Sequence, residues 1–104
     1  MEKESKKDNV KNDVVTDEKL NKYFAITKKA LEMVKANPMD EERITDAKDF
    51  LDMAERYYSD AQHFKDKGDY VLAFGALNYS HAWLDAGART KLFKVKDDQL
   101  FAAD

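Results

Sequence analysis

The chain has 104 residues, 38% of them charged, a net charge of −3, three glycines, one proline and no cysteine. That length holds one domain with one modest core, and the lack of cysteine excludes disulfides and thiolate metal sites, as suits a reducing cytoplasm. The mild acidity argues against a surface for nucleic-acid phosphates, and no apolar run approaches the roughly 18 residues of a membrane span.

Residues 1–15 carry four lysines against four acids and little apolar beyond Val10, Val14 and Val15. They read as a charged, flexible N-terminal arm. Nothing after Met1 forms an apolar stretch of the kind a secretory signal needs. A first helix is expected from Thr16 as N-cap, with Asp17 and Glu18 at the positive end of its dipole. Leu20, Phe24, Thr27, Leu31 and Val34 share one stripe of it, flanked by Tyr23 and Ala30, and Asn37-Pro38 stops it.

A second helix is expected from Asp40 as N-cap. Ile44, Ala47, Leu51, Ala54, Tyr58, Ala61 and Lys65 recur at spacings of three and four, and Phe50, Tyr57 and Phe64 widen the stripe, so this helix should touch two neighbours. Gly68 supplies a left-handed C-cap and Asp69 caps a third helix at once. So short a link forces the two helices to lie antiparallel and adjacent. The third helix should run to about Leu92 or Phe93. The expected fold is therefore all-α: an antiparallel up-down-up three-helix bundle over residues 16–93. Residues 94–104 form a tail that Leu100 and Phe101 could dock on the bundle.

The third helix is the unusual one, because residues 70–84 contain no Asp, Glu, Lys or Arg in fifteen consecutive positions. At 100° per residue it shows two apolar stripes. One carries Tyr70, Phe74, Leu77, His81, Leu84 and Ala88, and must be core. The opposite one carries Leu72, Ala76, Tyr79, Trp83 and Ala86. It is either covered within the chain, by the first helix or the tail, or left as an interface in which Leu72, Tyr79 and Trp83 meet a second copy or an unknown protein partner. Gly75 and Gly87 allow close backbone approach, by the second helix or by a ligand in a groove along Gly75, Asn78 and Ala82.

Chemistry is sparser. His81 and Asp85 stand one turn apart and can touch, with Asn78 on the neighbouring strip. This is what a ligand site or a metal ligand needs, and equally what a buried histidine needs to be satisfied. Arg56 and His63, with six residues between them, fit the loose spacing of helical ribonucleases of the HEPN type, but they lie among Asp49, Asp52 and Asp60, which repel phosphate. Arg89, Lys91, Lys94 and Lys96 suit the negative end of the third helix. No residue is singled out as catalytic, and no metal or cofactor is expected.

The string Gly68-Asp69-Tyr70, Asn78-Tyr79-Ser80-His81 and Trp83-Leu84-Asp85-Ala86-Gly87, with Tyr57-Tyr58, Asp60-Ala61, Ala73-Phe74, Leu92-Phe93 and the closing Leu100-Phe101, resembles the archaeal domain-of-unknown-function family numbered 357. The resemblance spans roughly residues 20–104 and implies a compact three-helix bundle, with no activity attached. The functional expectation is a non-catalytic helical module for protein interaction or self-association. The alternative is a small-ligand or metal-binding protein using His81, Asp85 and Asn78, and the ribonuclease reading stands third.

Overall fold

The computed structural model describes residues 12–101. Most of the expected arm, residues 1–11, lies outside the described residues, as do the last three residues of the tail. Three α-helices follow one another: α1 (Asp17–Ala36), α2 (Ile44–Asp66) and α3 (Tyr70–Arg89), with a short 3-10 turn (Glu41–Arg43) ahead of α2. They run up, down and up, so α1 and α3 are parallel and α2 opposes both.

The local signals act where they stand in the sequence. The Thr16 hydroxyl accepts the Lys19 amide at 3.1 Å, meeting one of the orphan donors of α1. Asn37 leaves the helix in extended geometry, as a residue before proline must. At the α2–α3 turn Gly68 takes φ +81°, and the amides of Gly68 and Asp69 bond back to the carbonyls of Lys65 and Phe64. Only glycine enters that left-handed region without a Cβ penalty. The Asp69 carboxylate then accepts the Leu72 amide at 3.1 Å.

Two ends differ from expectation. Asp40 caps the 3-10 turn rather than α2, through its bond to the Glu42 amide. It also holds Arg43, whose guanidinium reaches the Thr90 carbonyl at 2.8 Å. A cation is thereby placed on the unsatisfied, negative end of α3. That bonding draws the Asp40 carboxyl below its ordinary value. The third helix ends at Arg89, short of Leu92, because Lys91 turns left-handed at φ +67°. The reversal sends Leu92 and Phe93 into the core, where they are almost fully buried.

The tightest seam joins α2 and α3. Ala47, Ala54 and Ala61 repeat every seven residues and are fully buried. Alanine at that period lets two helices approach closely, and the Ser80 hydroxyl reaches across to the Ala54 carbonyl at 2.6 Å. By contrast α1 packs mainly on α3 and little on α2. Leu20 and Phe24 of α1 pack with Leu77 and Ala61, while Ala30, Leu31 and Val34 join Leu84, Ala88, Phe93, Leu100 and Phe101. Leu100 and Phe101 are buried there. The segment leaving α1 and the segment leaving α3 are stitched together, with the Asp40 amide on the Leu92 carbonyl and the Lys94 amide on the Pro38 carbonyl.

Candidate functional site

α3 lies between its two neighbours, so its surface divides into a side facing α1, a side facing α2 and an outer face. His81, Asp85 and Asn78, expected to act together, do gather on the α1 side. With Ala82 they form one wall of a cavity of about 220 Å³, and Tyr23, Ile26 and Thr27 of α1 form the other.

His81 is held from both ends. Its Nε2 lies 2.6 Å from the Leu100 carbonyl oxygen and its Nδ1 lies 3.0 Å from the Thr27 hydroxyl. A carbonyl oxygen only accepts, so Nε2 carries the hydrogen and donates it to Leu100. In the neutral ring, Nδ1 then accepts from Thr27. Asp85 Oδ1 stands farther from Nε2, at 3.6 Å. Neither ring nitrogen keeps a lone pair for a metal ion, and among the described residues no three His, Asp or Glu side chains gather to hold one. His81 thus ties α1, α3 and the tail together, while Asp85, with its side chain 30% exposed, and the exposed Asn78 remain at the cavity mouth.

The other predicted stripe is split. Leu72 is 50% exposed and Tyr79 47%, whereas Trp83 is half-buried. α2 supplies part of the cover. Phe50 meets the Trp83 ring edge-on at 4.9 Å, and Tyr57 meets Tyr79 edge-on at 4.4 Å. Tyr79 and Trp83 in turn lie 6.2 Å apart. Each such ring pair is worth about 0.5–1.5 kcal/mol beyond its burial. The indole N–H of Trp83 is buried with no hydrogen-bond acceptor among the described residues.

The outer face completes the picture. Val71, Leu72, Gly75, Asn78, Tyr79 and Ala82 are all exposed, and none is charged. The exposed faces of α1 and α2, by comparison, are studded with Lys22, Lys28, Lys29, Asp49, Asp52 and Arg56. Gly75 faces open space, with no atom within 4 Å of where a Cβ would stand.

Sequence reasoning missed the α2 rings as partners of Tyr79, although Phe50 and Tyr57 did mark a stripe broad enough for two neighbours. It also missed Thr27 as the partner of His81. A threonine inside an apolar helical stripe was the available signal, since a buried hydroxyl needs a bond. Arg56 and His63 both lie on α2, two turns apart. Both are exposed, Arg56 is committed to Asp52 at 2.8 Å, and His63 lies beside the Phe64 ring.

A family model described as "Protein of unknown function (DUF357)" matches residues 22–93. That span takes in α1 from its second turn, α2, α3 and the turn to Phe93. No curated protein and no solved structure matches the chain.

Proposed function

We propose, on the premise that the chain belongs to the DUF357 family of proteins of unknown function, that it is a non-catalytic helical module that pairs with a second copy of itself through the outer face of α3. The observation that carries this reading is the exposed, uncharged run of Val71, Leu72, Gly75, Asn78, Tyr79 and Ala82 in a chain that is 38% charged. A helix face without charge has lost its reason to meet water.

Leu72, Gly75, Tyr79, Ala82 and Ala86 follow one another at alternating spacings of three and four, the period of a helix–helix seam. The occupant follows from the same composition. Such a seam offers nothing for ion pairing, so its complement is another uncharged helix face, and the chain carries one. An antiparallel two-fold pairing centred between Ser80 and His81 sets Tyr79 against Ala82 of the second copy and Gly75 against Ala86. Large then meets small, and the two helix dipoles oppose. The lack of cysteine and of any described helix able to cross a membrane supports a cytoplasmic setting.

Light scattering and sedimentation equilibrium over a concentration series test this. The wild-type chain should dimerise. Tyr79→Glu, which puts two like charges into the seam, should raise the dissociation constant at least about tenfold, with a far-ultraviolet spectrum that stays helical although the melt falls as the ring contacts with Tyr57 and Trp83 are lost. A wild-type chain that stays monomeric up to millimolar concentration, or a Tyr79→Glu chain that dimerises equally well, would defeat the reading. A monomer would leave the face to a different protein.

A further inference from the structure

We propose that the second copy seated on the outer face of α3 is gripped by α2 as well, and that a groove on α2 around Met53 and Tyr57 receives the Tyr79 ring of that copy. This rests on the self-association reading and widens its surface from one helix to two.

Size calls for a second element. The exposed, uncharged run on α3 is six residues, against the roughly 20–30 that each side of a stable interface contributes. The remainder has to come from an edge of that face. One edge is α1, with Tyr23 and Ile26. The other is α2, with Met53 and Tyr57.

Charge separates the two edges. A two-fold pairing brings the α1 edge of one copy alongside the α1 edge of the other, and likewise for α2. Beside Tyr23 and Ile26 stand Lys22 and Lys29, both exposed, so pairing along α1 sets like charges together. The α2 edge carries both signs, and Arg56 pairs with Asp52 at 2.8 Å within each helix. The bond from Ser80 to the Ala54 carbonyl places Ala54 at the level of the two-fold point between Ser80 and His81. Positions 52 and 56 exchange about that level, so Arg56 of each copy comes level with Asp52 of the other. Signs then alternate across the α2 edge.

Shape agrees with charge. The groove has a volume of about 430 Å³ and is lined by Met53, Arg56, Tyr57, Ser59 and Asp60. Tyr57 is both its wall and the ring that meets Tyr79 at 4.4 Å, so groove and outer face form one continuous surface. Met53 is half-buried and one residue from the two-fold level, which sets it opposite Tyr79 of the second copy. Its unbranched, polarisable thioether suits the edge of an aromatic ring.

Sedimentation equilibrium and cross-linking of the full chain test this. Met53→Lys should raise the dimer dissociation constant at least about tenfold, whereas Lys22→Glu should leave it equal or lower. The chain has no cysteine, so Met53→Cys carries a single thiol. A short bismaleimide should join two copies through it, and should leave Lys22→Cys as monomer adducts. The cysteine variant also reports should Met53→Lys fail to fold. A Met53→Lys chain that dimerises like the wild type, or cross-linking at Lys22→Cys in preference to Met53→Cys, would overturn the proposal. Failure of the reading beneath it looks different, because the wild-type chain then sediments as a monomer and neither cysteine cross-links. A dimer broken by Tyr79→Glu but not by Met53→Lys would show that α3 pairs and α2 takes no part.

Discussion

Gly75 and Gly87 sit on one helix and call for opposite substitutions. At Gly75 a Cβ meets nothing within 4 Å, whereas at Gly87 it would overlap the ring of Phe93. Gly75→Ala should therefore stabilise the fold by about 0.5–1 kcal/mol, by removing backbone freedom from the unfolded chain. Gly87→Ala should cost about 1–3 kcal/mol or more through overpacking against a ring that is 1% exposed. Thermal melts of both variants in the monomeric Tyr79→Glu background decide it, and the same sign for both would refute the contrast. Both glycines were legible in the sequence as points of close approach. Which one is approached was not, because that depends on where the chain goes after Lys91 reverses it. His81 behaves similarly. Its need for partners followed from its place on an apolar stripe, but the partners came from Thr27 on another helix and from a backbone carbonyl, which no side-chain pattern announces.

Among the elements, the helix starts and stops that depend on a few neighbouring residues were readable: Thr16, Asn37-Pro38, Gly68 and Asp69 all act as their chemistry dictates. The start of α2 and the end of α3 were not, since Asp40 and Arg43 serve the end of α3 across 47 residues of sequence, and tertiary bonding set the boundary. The seam between α1 and α2 is the thinnest, and one residue in it makes it sensitive to alkali. Tyr58 stands edge-on to Phe24 of α1 at 5.5 Å. Burial lifts its phenol above the ordinary value of 10.0, and the Glu32 carboxylate adds to the rise. With the folded value above the unfolded one, this contribution to stability is complete below pH about 10 and is lost as pH climbs through the folded value. Tyr58→Phe should flatten the alkaline limb of a stability–pH curve measured by denaturant titration. The limb that remains is shared by Tyr70, whose phenol is raised by its hydrogen bond to Asp17 of α1, and Lys35, whose ammonium is raised by its bond to Glu55. An unchanged limb in a Tyr58→Phe, Tyr70→Phe chain would contradict this account.

On the scale of the molecule, the described residues extend 56 × 32 × 16 Å, an elongated bundle with α3 at its centre. The fold was legible because the periodicity of three helices and one short turn left a single arrangement of neighbours. The candidate sites were legible only as sets of residues. The uncharged run of α3 marked where they would lie, but the depth of each side chain depended on how α1 and α2 share that helix between them. The clasp formed by residues 38–40 and 92–94 has a kinetic consequence. α1 touches α2 too little to be held by it, so α1 can swing out only if the clasp opens, and the tail loosens with it because Leu100 and Phe101 share one buried cluster with Ala30, Leu31 and Val34 of α1. Amide hydrogen exchange should therefore find the interior amides of α1 and those of Asp40, Lys94 and Leu100 opening together, at a free energy below that of the α2–α3 hairpin. A tail that exchanges at its own, lower free energy would show that the clasp does not couple them.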